Sequence, residues 1–471
     1  MKKGDIVTGR VIGVDFPNKG KVEVRENDEL NYITVKNTIP DQLVSVRIQK
    51  KKHGKMEGCV VDILEPATCE TESDCPHFGQ CGGCLYRTLP YEEQLKLKES
   101  MVYHLLEKVY INNKSEDDLD FETIFEPIKG SPIVNEFRNK MEFTFGDEYK
   151  DGPLSVGLHK RGGFYDIITV DECKIIDADY RKILSETKKY FAEKNIPYFH
   201  RMTHVGVLRH LLVRKAKKTG EILVCIVTTT QQKPDLSGYV SALTSLKLDG
   251  TIAGIIHTCN DSNADVVKDE GSTILFGKNY FMEELLGLKF KITPFSFFQT
   301  NSLGAEVLYE TVKEYLGDFG NETPVVFDLY SGTGTIAQLI ASVCKKVIGI
   351  EIVEEAVEAA KENAKLNDLH NCDFIAGDVL QKIDEIKDRP DYIILDPPRD
   401  GIHPKALPKI IQYGVERIVY VSCKPSSLAR DLEVFMKNGY VPKRIGCVDM
   451  FPASGHVETA VLMSKVNTVK G

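Results

Sequence analysis

Apolar and polar residues alternate in short runs at the start of the chain. Residues 6–14 are rich in β-formers, Lys21-Val22-Glu23-Val24-Arg25 alternates charged and apolar positions, and residues 43–48 and 58–64 repeat the pattern. A period of two marks half-buried strands. Short strands at this spacing, broken by Gly, Pro and Asn, predict a small β-barrel over residues 1–66. Lys50-Lys51-Lys52-His53-Gly54-Lys55 reads as a charged hairpin tip. Residues 67–290 predict a mixed α/β region, with a charge-rich helix from Tyr91 to about Val109 and strands over 140–145 and 221–227. From Lys291 the pattern changes. Apolar strands at 324–329, 346–350, 392–395 and 417–421 are interleaved with helical spacing, as in Val353, Ala356, Val357, Ala360 and Ala364. Strands alternating with helices predict a doubly wound α/β domain over 291–471.

Composition narrows the function classes. The 471 residues are 42% hydrophobic and 27% charged, ordinary for a globular chain. No apolar run approaches the roughly 18 residues of a membrane-spanning helix, and the start, Met1-Lys2-Lys3-Gly4-Asp5, has no apolar signal segment. Twelve cysteines without such a signal point to a reducing cytoplasm and to metal or catalytic use. The net charge of −9 excludes a uniformly basic nucleic-acid coat and leaves room for local basic faces. Two candidates for such faces are Phe137-Arg138-Asn139-Lys140 and residues 209–215, which begin Arg209-His210 and end Arg214-Lys215.

The strand ending at Asp328 runs into Tyr330-Ser331-Gly332-Thr333-Gly334-Thr335. Such glycines let backbone approach a ligand, and the next helix presents its N-terminus. Gly332-x-Gly334-x-x-Ala337 also fits a dinucleotide fingerprint, which keeps NAD in view. Two acids favour S-adenosylmethionine instead. Asp328 suits an ammonium and repels a pyrophosphate, while Glu351, 19 positions after Gly332, suits ribose hydroxyls. Asp396-Pro397-Pro398-Arg399 closes another strand at the same edge. Cys423 lies between the last clear strand and a helix, with Lys424 beside it, and both features favour thiolate. Glu458 follows a Pro/Gly loop. Together Cys423 and Glu458 make a nucleophile and base pair.

The combination resembles the RNA uracil-5 methyltransferase family. The matching pieces are Phe297-Phe298-Gln299-Thr300-Asn301, Asp328 to Thr335, Asp396-Pro397-Pro398-Arg399-Asp400-Gly401, Ser422-Cys423-Lys424-Pro425 and Phe451 to Glu458. Lys424 stands where Asn is usual. Residues 1–66 resemble the TRAM barrel that several of these enzymes carry. The resemblance implies a Rossmann-like S-adenosyl-L-methionine domain with Gln299, Tyr330, Glu351, Asp378 and Asp396 at the cofactor. It implies Cys423 as nucleophile toward carbon 6 of uracil and Glu458 as the base that removes the carbon 5 proton. It also implies an RNA substrate, with the barrel and cysteines favouring 23S ribosomal over transfer RNA, and a monomer. A non-catalytic RNA-binding assembly factor is the rival reading.

Cys75, Cys81 and Cys84 form C-x5-C-x2-C with glycines between them. Three thiols in ten residues point to a metal site, and spacing alone allows zinc. The family pattern supplies Cys173 as fourth ligand and a [4Fe-4S] cluster; Cys69 and His77 are competing ligands.

Overall fold

The computed structural model describes residues 1–26, 28–52, 54–264, 267–317 and 323–466. Strands β1 (Ile6–Asp15), β2 (Lys19–Glu26), β3 (Glu29–Lys36), β4 (Leu43–Lys52) and β5 (Lys55–Glu65) close into a barrel in the order β1-β2-β3-β5-β4. The alternation read in the sequence is what closes it. Val22, Val24, Ile33, Val35, Val44, Val46 and Ile48 point inward as a continuous core, while the intervening lysines and glutamates face out. β4 and β5 pair out to Lys52 and Lys55, and His53 at that tip lies outside the described residues.

After the cysteine segment come α1 (Tyr91–Asn113) and the short α2 (Phe121–Ile124). A seven-stranded central sheet follows, built from β6 (Lys140–Asp147), β7 (Leu154–His159), β8 (Ile167–Thr169), β9 (Leu208–Lys215), β10 (Glu221–Thr228), β11 (Thr251–Cys259) and β12 (Ser272–Gly277) in the order β12-β11-β10-β9-β6-β7-β8. Helices α3 (Ala178–Glu193) and α4 (Ser237–Thr244) cover one face through Ile183, Leu184, Phe191 and Tyr239. The hairpin β13 (Phe281–Leu285) and β14 (Leu288–Ile292) and the helix α5 (Ser302–Leu316) share a core with Leu212, Leu223, Cys225 and Val227 of the other face. β9 and β10 are therefore covered on both sides, which is why β10 reads as a continuous apolar run.

The third sheet holds β15 (Val325–Leu329), β16 (Lys346–Glu351), β17 (Cys372–Ala376), β18 (Tyr392–Leu395), β19 (Arg417–Ser422), β20 (Tyr440–Val448) and β21 (Glu458–Lys465), ordered β17-β16-β15-β18-β19-β21-β20. β15 to β19 are parallel, and β21 runs antiparallel between β19 and β20. One face is packed by α5, α6 (Thr335–Ile340) and α7 (Glu354–Leu366). The other carries α8 (Val379–Lys382), α9 (Ala406–Gln412) and α10 (Pro425–Lys437).

α1 and α2 also sit on this second face, where Val102, Leu106, Tyr110, Phe121 and Ile124 join Leu428, Leu432 and Phe435 in one core. The sequence groups both helices with the middle of the chain. Their apolar stripe finds its complement on α10 instead, so residues 91–124 brace the catalytic sheet. Among the described residues no helix is long and apolar enough to cross a membrane.

Candidate functional site

The carboxyl ends of β15, β16, β18 and β19 meet where the strand order reverses, the place where open α/β sheets bind ligands. β15 hands over to Tyr330, held in a left-handed backbone conformation (φ 69°), and then to Gly332 and Gly334. The backbone N–H groups of Tyr330 and Ser331 both donate to the Ile350 carbonyl, at 2.9 and 3.0 Å, which folds the loop back over β16. Glycine is required at 334: φ is +70°, and a Cβ there would lie 2.5 Å from the Phe374 ring. The loop thereby presents α6 by its N-terminus.

The acids line this loop. Asp328 is fully buried; one carboxyl oxygen accepts from Ala337 N–H at 3.1 Å, and the other has no partner. Ser331 Oγ is likewise buried without a partner. Burial, with help from the charge of Asp396, pushes Asp328 up to about 7. Asp396 closes β18, and burial raises it to about 7 as well. Glu351 closes β16 and accepts from the N–H groups of Gly332 (3.1 Å) and Val353 (2.9 Å). Asp378 caps α8, accepting from Leu380 N–H at 2.9 Å, just beyond the Gly377 N–H that donates to the Glu351 carbonyl. Orphaned buried oxygens and glycine-tight backbone fit a ligand that brings its own donors and positive charge. The ammonium, sulfonium and ribose hydroxyls of S-adenosylmethionine are such a set.

The register of β19 and β21 brings Cys423 and Glu458 together. Ser422 pairs with Thr459, so the next step along both strands sets Cys423 opposite Glu458. Glu458 is buried and raised to about 8, first by burial and then by Asp396, with Arg399 pulling it down. Burial, Glu458 and Asp396 push the half-buried Cys423 up to about 11. This corrects the expectation of a lowered thiol. Cys423 does precede α10, and Arg399 does pull it toward thiolate, but desolvation beside two acids outweighs both. Lys424 reaches toward exposed Asp400, at 3.9 Å.

A family model described as tRNA (Uracil-5-)-methyltransferase matches residues 263–466. An uncharacterized RNA methyltransferase of Clostridium tetani is 48% identical over 469 residues, which span 100% of each chain. Another, from Caldanaerobacter subterraneus subsp. tengcongensis, is 50% identical over 465 residues, 99% of this chain and 100% of its own. The chain belongs to the RNA uracil-5 methyltransferase family. The solved structure of Pyrococcus abyssi tRNA (uracil-54, C5)-methyltransferase with S-adenosyl-L-homocysteine is similar in fold, with a TM-score of 0.74 and 25% identity over 97% of this chain and 99% of that one. The methyltransferase uses S-adenosylmethionine to methylate uracil carbon 5 in RNA.

Two parts of the methyltransferase's site were invisible in its sequence. Tyr309, on α5, is buried with its hydroxyl at the Gln299 side chain and within electrostatic reach of Asp328, Asp396 and Glu458. No motif in the sequence singles it out. Arg214 is fully buried and donates to the carbonyls of Thr293 (2.7 Å), Pro294 (3.2 Å) and Ser296 (2.8 Å), which fixes the loop leading to Gln299. Arg209 is equally internal and binds the carbonyls of Asn260, Ser262 and Ala264. The expected basic RNA face over 209–215 is thereby corrected: two of its arginines are internal carbonyl clamps.

The cysteine segment gathers as a set. Cys81 and Cys173 are buried, Cys75 and Cys84 half-buried, and all four are free thiols. Cys81 Sγ accepts from Gly83 N–H at 3.2 Å. Burial pushes Cys84 up to about 12 and Cys173 to about 11, and in each the neighbouring thiols add to the rise. Among the described residues no group of three or more His, Cys, Asp or Glu side chains is placed to hold a metal ion.

Proposed function

We propose that the enzyme acts through a covalent adduct between Cys423 Sγ and carbon 6 of a uridine in 23S ribosomal RNA. The observation that supports this reading is the pairing of a half-buried thiol with a buried carboxyl across β19 and β21, at the cofactor edge of the sheet. Carbon 5 of uracil is a weak nucleophile. Loss of the Cys423 proton and attack on carbon 6 form the C–S bond and shift the electron pair to an enolate, so that carbon 5 becomes reactive. S-adenosylmethionine supplies the electrophilic methyl group when bound. Glu458 then takes the carbon 5 proton, the ring double bond re-forms, and the C–S bond breaks to free Cys423. Gln299, Tyr330, Glu351, Asp378 and Asp396 hold the cofactor in this reading. The uridine is single-stranded or flipped out of its stack, because the chemistry needs both faces of carbons 5 and 6.

Cys75, Cys81, Cys84 and Cys173 hold a [4Fe-4S] cluster in the same proposal. Four thiols are a soft donor set, and a four-iron cluster binds each on a separate iron, farther apart than one tetrahedral zinc does. All four are free thiols, with Cys81 and Cys173 buried. The enzyme works as a monomer in the reducing cytoplasm, where such thiols survive.

Transfer RNA is the second reading. It is favoured by the Pyrococcus abyssi match, a tRNA enzyme similar in fold over nearly the whole chain. Mass spectrometry of both RNA pools from a deletion strain separates the two. Loss of one 5-methyluridine from 23S RNA alone supports the ribosomal target, and loss from transfer RNA alone replaces it. Unchanged 5-methyluridine in both pools refutes both. For the adduct, Cys423→Ala is expected to give neither adduct nor product, and Glu458→Gln to accumulate a methylated protein–RNA adduct.

A further inference from the structure

The loop that delivers Glu458, residues 449–457, is held from inside the catalytic domain by Asn301, which donates to the Met450 carbonyl at 2.8 Å, and from outside it by several further contacts. Ala453 sits at its centre with φ +62°, a left-handed conformation that an alanine keeps only when its surroundings impose it. Its carbonyl accepts two hydrogen bonds, from the backbone N–H groups of Leu85 (2.7 Å) and Tyr86 (3.0 Å). Its own N–H donates to Gln94 Oε1 at 2.7 Å. Gln94 is buried on α1, and its amide is fixed in turn by donating to the Leu89 carbonyl at 2.9 Å.

One turn further along α1, Lys98 has a fully buried side chain. Its ammonium binds Asp449 Oδ1 at 2.7 Å and the Phe451 carbonyl at 3.0 Å. Burial pulls the Lys98 pKa down, and the Asp449 carboxylate opposes that fall. A buried ion pair of this kind adds little net stability but fixes geometry. Leu85 follows Cys84 directly in the chain. The cysteine segment and α1 thus grip the start and the middle of a loop whose next residue after Val457 is the base.

We propose that Leu85, Tyr86, Gln94 and Lys98 form a positioning clamp that sets Glu458 over carbon 5 for proton removal, so that the cysteine segment serves the elimination step. The inference rests on the reading of Glu458 as the base. Gln94 and Lys98 touch no substrate; they act through the loop. The attack by Cys423 and the methyl transfer depend on β19, β15 and the glycine loop, which the clamp does not touch. Disturbing the clamp should therefore separate the two halves of the reaction.

The test uses the full-length enzyme with unmodified 23S RNA transcript, and a transfer-RNA transcript in parallel, in single-turnover reactions. Gln94→Ala removes the two neutral hydrogen bonds of the amide, one to Ala453 of the loop and one to Leu89, and leaves the buried ion pair in place. Methyl transfer into the adduct and S-adenosylmethionine affinity are expected to stay within about twofold of wild type. Release of the adduct is expected to slow about tenfold, the rate equivalent of one misplaced hydrogen bond. Lys98→Met is expected to show the same split more strongly; should it fail to fold, Gln94→Ala carries the test alone. Unchanged release in Gln94→Ala overturns the clamp. So does a parallel fall of affinity, transfer and release, which marks a merely structural role. Failure of Glu458→Gln to accumulate adduct on either RNA instead refutes the base assignment, and the clamp falls with it.

Discussion

Replacing Asp328 by Asn gives the most quantitative check on the acid cluster. The carboxyl is fully buried and has a pKa of about 7 against an ordinary 3.8. At 1.36 kcal/mol per pKa unit, ionising it costs about 4 kcal/mol more in the folded chain than in the unfolded chain. The folded chain holds the extra proton, so this contribution to stability is full below about pH 4 and is lost as the pH rises through about 7. Asparagine keeps an acceptor for Ala337 N–H and never ionises. Cofactor-free Asp328→Asn should therefore gain on wild type as pH rises, by about 2–3 kcal/mol between pH 5 and pH 8. The chain has no Trp, so guanidinium unfolding followed by circular dichroism is the assay. The same carboxylate should attract the cationic ligand. Wild-type affinity for S-adenosylmethionine should rise from pH 6 to pH 8, more steeply than affinity for S-adenosylhomocysteine, which lacks the sulfonium charge. Asp328→Asn should flatten both curves. Superimposable pH profiles of stability for the two proteins would refute the burial argument, because a solvated Asp328 predicts no difference.

Three further outcomes follow from other parts of the site. Glu458, raised to about 8, must lose its proton before it can take another, so adduct release should speed up as pH rises through about 8, read by quenched single-turnover assays. Gly334→Ala places a methyl 2.5 Å from the Phe374 ring at φ +70°, and thermal and denaturant melts should show a loss of about 2–4 kcal/mol together with lost cofactor binding. Anaerobically purified protein should be brown with about four irons per chain, and Cys84→Ser should lose the colour; stoichiometric zinc without iron would refute the cluster and keep the four-thiol site.

The alternation over residues 21–25, 43–48 and 58–64 was enough to announce a barrel, because a period of two leaves only one face to bury. The glycine loop, the acids at strand ends and the Cys423 and Glu458 motifs were legible for a related reason. Close backbone approach and strand-end placement demand particular residues at particular spacings. Burial and partners across the chain were not legible, because they depend on residues far apart in sequence. Arg209 and Arg214 looked like a basic surface, and only the covering of β9 on both faces turned them inward onto carbonyls. α1 looked like part of the middle region, and only the complementary stripe on α10 moved it to the catalytic sheet. Helix position and Lys424 argued for a thiolate at Cys423, whereas the fold desolvates the thiol, places two buried acids beside it and raises it to about 11. Sequence determines which groups are available and the local period of the chain. Tertiary structure decides which of them lose water, and in a desolvated site that loss sets charge, protonation and role.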